Sequence, residues 1–215
     1  DGTQHRVVAT NGTWSVTFTE SELPTGNGTE TVTFTATDPA GNTRTFTETF
    51  GYDTDLPGAL TTLKIVRDGQ DVTGIFTGTN GEDVTIHRID ANGDAREVGH
   101  DVNENVTVSV NNVRVTADNY DFDTGVPDGS YLVLGNTDAA GNEASTLLIV
   151  NNTNTVNVDL TRDGLAEFDF TNIDLTFAPQ ANLTLTADDL EALTGPDHRL
   201  TINGGGDDRV SLDGA

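Results

Sequence analysis

An all-β chain, built as β-sandwich modules in tandem with a smaller β-rich C-terminal segment holding one short helix, is predicted by three observations. Period-2 alternation runs through "TWSVTFTE", "ETVTFTATD", "TRTFTETF", "EDVTIHRID", "NVTVSVNNVRVT" and "GSYLVLGNTD", with aromatic or branched residues on one face and Thr, Ser or Asn on the other. Between these stretches lie "PTGNG", "PAGN", "DANGD", "PDG" and "AAGN", which supply the positive-φ and Asx-turn residues that hairpins need. The third observation is an internal repeat. "TATDPAGNTRTFTETF" aligns with "GNTDAAGNEASTLLIV", setting Asp38 on Asp138, Ala40 on Ala140, Gly41 on Gly141 and Asn42 on Asn142.

Asp38 and Asp138 stand 100 positions apart, about the length of one immunoglobulin-like domain. A complete sandwich therefore fits residues 58–151. Residues 1–57 hold only the closing strands, about four, of an earlier module, and its bare edge requires a cover. Either the strands of 152–215, of this chain or of a neighbouring one, would pair with it, or the missing strands lie upstream of Asp1. From 152 onward "VNVDLTRDGLAEFDFTNIDLTF" and "RLTINGGGDDRVSLDG" read as strands with acidic turns, and "TADDLEALTG" as a helix over about 187–194. Thr186 is its expected N-cap, Asp188 and Asp189 suit the positive end of the helix dipole, and Gly195 with Pro196 ends it.

Charge narrows the function. The 215 residues carry 35 acidic against 10 basic side chains, a formal charge of -25, and Lys64 is the only lysine. Phosphate binding needs a basic face, so nucleic acid and anionic membrane surfaces are poor partners. Self-repulsion at this charge is relieved by bound cations, of which calcium is one, or by high ionic strength; a salt-adapted surface would carry the same composition. The chain has no cysteine, which removes disulfides and thiolate metal sites. Its longest apolar run, around "STLLIVNN", is too short to cross a bilayer, so no membrane insertion is expected. No signal peptide opens it, as for a mature, processed or excised segment.

The "ATDPAGN" and "NTDAAGN" turns, the "PDGSY" strand start (Asp128 to Tyr131) and the linker "YDTDLPG" resemble the tandem bacterial immunoglobulin-like repeats of giant, secreted, calcium-dependent (RTX-type) surface adhesins. The tail is similar to a segment near the C-terminal end of such proteins, where an "IDLT" strand precedes a "LTLTADDLEALTG" helix and an "LTINGGGDDRVSL" strand pair. The resemblance covers nearly the whole chain. It departs in the incomplete first module and in the Asp-Thr-Asp-Leu-Pro order of the linker. It implies an extracellular, cell-surface spacer stiffened by calcium, supporting adhesion or biofilm formation, with neighbouring modules and surface glycans or proteins as partners.

Calcium takes six to eight oxygens, largely carboxylate and carbonyl, so bends rich in Asp are its natural ligands. Asp53 and Asp55 on the linker, joined by Asp38 or Asp128, form one expected site at a module junction, with Asp138 at the equivalent bend of the second copy. The competing reading is that each Asp merely satisfies turn backbone. "DNYDFDTGVPDG" gathers Asp118, Asp121, Asp123 and Asp128. Asp121 and Asp123 share a face if that stretch is an extended loop, and the loop is either a calcium site or simply solvated. Asp68 with Asp71 and Asp90 with Asp94 read as hairpin turns. "NGGGDDRVS" (203–211) matches a β-roll calcium nonapeptide except at Asn203, and as a single copy it reads more readily as a glycine-rich hairpin.

Catalysis finds no motif. His5, His87, His100 and His198 are scattered, and neither a Gly-x-Ser-x-Gly elbow nor a His-Glu-x-x-His helix occurs, so no enzyme is expected. Five Asn-x-Thr sequons (Asn11, Asn27, Asn105, Asn151, Asn182) allow glycosylation in a suitable host, and chance explains them equally well in a chain this rich in Asn and Thr. A ligand-binding module is the alternative to the spacer, using Trp14, Tyr120 or Tyr131 beside a cation. Trp14, at a strand position, is expected to be buried in a core.

Overall fold

In a computed structural model the described residues are 4–11, 13–152, 155–195 and 198–213. The fold is an all-β sandwich architecture with one short α-helix among them. Contacts divide the chain into two compact units, residues 1–56 and 57–215.

The first unit is built on a hairpin of β1 (Asn27–Thr37) and β2 (Thr43–Asp53), paired without a register break from Asn27↔Asp53 to Thr37↔Thr43. Alternation sorts its faces. One carries threonines, with Thr31 Oγ1 3.0 Å from Thr49 Oγ1. The other carries Val32, Phe34, Phe46 and Phe50, and the stretch before β1 lays Trp14 and Phe18 onto it, Trp14 5.0 Å from Phe34 and Phe18 6.3 Å from Phe50. Among the described residues the expected strand "TWSVTFTE" joins no ladder apart from an isolated Thr10↔Thr13 bridge. Trp14 is consequently 45% exposed, not buried as its strand position suggested: two strands have no facing sheet to enclose it.

The second unit has three layers. One is the antiparallel sheet β3-β4-β8-β7, from β3 (Thr62–Asp68), β4 (Asp71–Thr77), β7 (His100–Val110) and β8 (Val113–Val126). The central layer contains β5 (Asp83–Ile89), β6 (Ala95–Glu97), β9 (Tyr131–Thr137) and β10 (Glu143–Val150). Leu60, Ile75, Tyr120, Ile86, Leu132, Leu134 and Leu148 fill the space between these two sheets.

The residues after 151 do not form a separate body. β12 (Phe170–Phe177) pairs with β10 in parallel, and β14 (Thr201–Asn203) pairs with β12, so the central sheet runs β14-β12-β10-β9-β5-β6. A third layer, β11 (Thr155–Asn157), β13 (Gln180–Leu185) and β15 (Arg209–Leu212), is also parallel. The chain steps from central to third layer three times, β10 to β11, β12 to β13 and β14 to β15, and so winds as stacked coils. Tyr131, Val133, Leu147, Ile149, Phe170, Ile173, Leu183 and Leu185 fill the coil interior. β9 and β10 therefore face a core on each side, which accounts for their continuous apolar runs.

These strands pair in coils of their own unit. The helix α1 (Ala187–Leu193) lies between β13 and β14, with Thr186 and Asp189 forming a reciprocal capping box: Asp189 N donates to Thr186 Oγ1 at 3.1 Å and Thr186 N to Asp189 Oδ2 at 2.8 Å. Pro196, its expected stop, lies outside the described residues. "NGGGDDRVS" is not a hairpin; it joins β14 to β15 across two sheets, and Asp208 holds the turn, its carboxylate accepting from Gly205 N and from Ala181 N of the coil beneath, at 2.6 and 2.7 Å.

Candidate functional site

Asp38 and Asp138 do the same local work. Each Oδ1 accepts from the N–H groups two and four residues on, at 2.9 Å, and each Oδ2 accepts from the Asn side chain four residues on. Gly41 and Gly141 then take φ of 88° and 94°, a left-handed conformation in which a side chain would be strained. Both carboxyls lie below the ordinary aspartate range, first because of the Asn42 and Asn142 side-chain amides and then because of backbone donors, with slight burial opposing.

A carboxyl depressed in the fold stabilises it above the unfolded pKa and ceases to do so as pH falls through the folded value. The turns should thus loosen only in acid, below about 4. Carboxyl NMR titration should place Asp138 below an unstructured aspartate, and Asn142→Ala should raise it; an unmoved midpoint in that variant would refute the amide as the main cause.

Asp53 Oδ1 accepts from Asp55 N at 3.1 Å, and its Oδ2 from Asn27 Nδ2 at 3.3 Å, so these two aspartates shape the end of β2. Asp128 belongs to the second unit. It pairs with Arg67 at 3.0 Å, both half-buried, and accepts from Asn152 N, holding the "PDG" bend to the chain that leaves β10.

Asp121 and Asp123 lie within β8, not in a loop, because "TADNYDFDTGV" continues the alternation that pairs with β4 and β7. Period 2 still puts them on one face, exposed, while Tyr120 turns inward. The ladder adds a residue that the sequence reading missed: Asp101 of β7 stands directly opposite Asp121. Asn103 and Asn119 both donate to Asp121 Oδ2, at 3.3 and 2.9 Å. Asn119 Oδ1 is buried and accepts no hydrogen bond. The Asp123 carboxylate lies over Gly99, where an added Cβ would require it to shift.

Asp118 is separate from this face. It is 7% exposed, and its carboxylate accepts from Asn105 N at 2.8 Å, where β7 breaks register with Asn105 at φ 54°. With Glu82, Asp83 and Glu104 it lines an acidic cleft of about 310 Å³. Asp68 and Asp71 pair at the β3–β4 turn, and Asp90 Oδ1 accepts from Asn92 N and Asp94 N at the β5–β6 turn, as the sequence suggests.

The β7–β8 face presents carboxylate and amide oxygens, a ligand type that calcium accepts, together with the two amide Nδ2 groups that donate to Asp121. Among the described residues no group of three or more His, Asp or Glu side chains converges on a metal-sized point. Tyr120 and Tyr131 are buried, whereas Trp14 keeps a solvent-facing surface. No described helix is long and apolar enough to cross a membrane. No family model matches the chain, and no curated protein or solved structure matches it significantly.

Proposed function

We propose that the chain is a structural spacer segment of an extracellular, cell-surface adhesin, in which calcium stiffens acidic loops and strand faces and the modules hold a binding element away from the cell. The observation that carries this reading is the strand, Asp-locked turn and strand recurring at Asp38 and Asp138 with the same hydrogen bonds, the mark of a repeated module. The orphaned Asn119 Oδ1 beside Asp121, with Asp101 and Asp123 on the same face, supports calcium as the cation. Neighbouring modules of the same protein are its partners.

Calcium should raise the melting temperature well above what equal magnesium does at fixed ionic strength, because magnesium demands a near-octahedral shell that an irregular strand face does not supply. Saturation to 100 times Kd is worth about 2.7 kcal/mol. Asp121→Asn with Asp123→Asn should remove most of the difference. Equal effects of the two ions would reduce calcium to general screening.

A second reading, a calcium-assisted module binding glycans or proteins, is favoured by one observation: Trp14 and Phe46, 45% and 42% exposed, present aromatic surface on the first unit. Trp14 is the only tryptophan, so quenching or a shift of its emission by added oligosaccharide would support that reading over the spacer.

A further inference from the structure

We propose that the acidic cleft beside Asp118 binds a primary alkylammonium group, the head of a free aliphatic amine or of a lysine side chain on another protein. The inference is independent of the adhesin reading and of the calcium face. The cleft lies between the β4–β5 loop, the start of β5 and the β7–β8 ladder, all within the second unit, and encloses about 310 Å³. That volume is at the low end of small-molecule clefts, about 300–1,000 Å³.

One of its lining groups is a carboxylate that the fold leaves half used. Asp118 shares the inward face of β8 with Tyr120, two residues on, and is 7% exposed. Its Oδ1 accepts from Asn105 N at 2.8 Å, and no donor among the described residues reaches Oδ2. A buried anionic oxygen without a donor is costly, and a cation that reaches it relieves that cost. Glu82, Asp83 and Glu104 line the same space. Among the described residues no Lys, Arg or His pairs with any of the four carboxylates. Burial first, and then the charges of Asp118 and Glu104, push the phenol of Tyr120 up, so the uncompensated negative potential is felt at the cleft.

The lining is also apolar. Val102 stands directly opposite Tyr120 in the β7–β8 ladder and hence on the same inward face, yet it is 46% exposed where Tyr120 is 4%. With Val84 it gives the cleft a hydrocarbon surface that the core does not cover. The surrounding backbone is pinned. Buried Asn136 accepts from Glu82 N and donates to Gly58 O, both at 2.9 Å, and Asn105 takes φ 54° beside Asp118, so the site is organised before a ligand arrives.

The pattern of free acceptors selects the head group. A guanidinium is held best by both oxygens of one carboxylate, and Asp118 has only one to give. Among the described residues no three carboxylates converge on a metal-sized point. An ammonium carries three N–H donors, which Asp118 Oδ2, a second carboxylate of the cleft and water satisfy one at a time, while its alkyl stem lies on Val84 and Val102.

NMR titration of the whole chain with pentylammonium should move the amide signals of Val84, Val102 and Asp118, saturating in the millimolar range. Tetramethylammonium, which has the charge but no N–H, should move them far less at the same ionic strength. Asp118→Asn keeps an oxygen for Asn105 N and removes the charge, and loss of that charge-assisted bond should weaken binding about tenfold. Asp68→Asn, an equal change of charge at the β3–β4 turn, should leave binding as it is.

Val102→Lys serves if Asp118→Asn folds poorly: the position is exposed, and its own ammonium should occupy the cleft, raise the melting temperature and exclude pentylammonium. A blocked Gly-Gly-Lys-Gly-Gly peptide separates the two sources, since tighter binding than pentylammonium identifies a lysine of a protein partner and weaker binding a free amine. No shift at the cleft, an equal response to tetramethylammonium, shifts spread evenly over the acidic surface, or binding indifferent to both Asp118→Asn and Val102→Lys would each overturn the proposal.

Discussion

Phe170→Ala should lower the stability of residues 57–215 by about 4 kcal/mol, and the sandwich and the stacked coils should lose that stability together. Phe170 is 1% exposed at the start of β12, opposite Ser145 of β10, in the core that also holds Leu147, Ile149 and Leu183. Removing its ring leaves a cavity whose walls are strands hydrogen-bonded on either side, so collapse is resisted and the cost lies in the upper range for a core substitution. For a body of this size the melting temperature should drop by roughly 10 °C.

The informative part is the shape of the transition. β10 belongs to the sandwich core through Leu148 and Val150 and to the coil core through Leu147 and Ile149, so the two cannot come apart without breaking the central sheet. Circular dichroism should show a single transition, moved as a whole. Two separated transitions, with the earlier one alone sensitive to Phe170, would mean that the coils melt as an independent domain and that the shared sheet contributes little.

This coupling was only partly legible in the sequence. Most strands, the Asp-locked turns and the capped helix are local, written in alternation, in Asp-x-Ala-Gly-Asn and in Thr-Ala-Asp-Asp, and formed where their own residues called for them; "TWSVTFTE" did not. "YLVLGN", which the alternation reading placed among half-buried strands, is instead buried on both faces like "STLLIV"; an apolar run of this kind fits a strand covered twice, and so a third layer beyond a two-sheet sandwich.

What covers the second face could not be read, because parallel pairing joins stretches that the chain separates by a loop or a helix: Ser145 meets Phe170, and Leu183 meets Val210. The same non-locality hid Asp101, whose position opposite Asp121 depends on a register break near Asn105. Trp14 misled for the converse reason: its local pattern is that of a strand, but neither a ladder partner nor a facing sheet encloses it.

The second large effect should come from Arg162, which fastens the coils to the sandwich turns. Its guanidinium lies 3.6 Å over the ring of Tyr131, and its Nη atoms donate to the carbonyls of Ile89, Asp90 and Gly129 at 3.2 to 3.4 Å. Tyr131 is itself held from the coil side, its hydroxyl oxygen accepting from Asp159 N at 2.7 Å, and burial pushes its phenol up while that bond and the Arg162 charge oppose. The β5–β6 turn is tied in next to it by Gly164 N donating to Gly93 O at 2.8 Å.

Arg162→Ala would strip the cation from a desolvated ring, worth about 2 kcal/mol, and leave carbonyls without donors at roughly 1 kcal/mol or more, so a loss of about 3 kcal/mol is expected. Arg162→Met keeps the stem packed on Tyr131 but supplies no donors, and should recover less than half of that loss. Arg162→Lys should also fall short, because an ammonium cannot span three carbonyls while lying flat on the ring. Hydrogen exchange on the unmutated protein and on Arg162→Ala locates the effect: protection should drop first at Gly164 and Asp159, while the inner strands β4 and β8 stay protected until global unfolding. If Arg162→Met matches the wild-type midpoint, packing alone holds this junction and the donors to Ile89, Asp90 and Gly129 add nothing measurable.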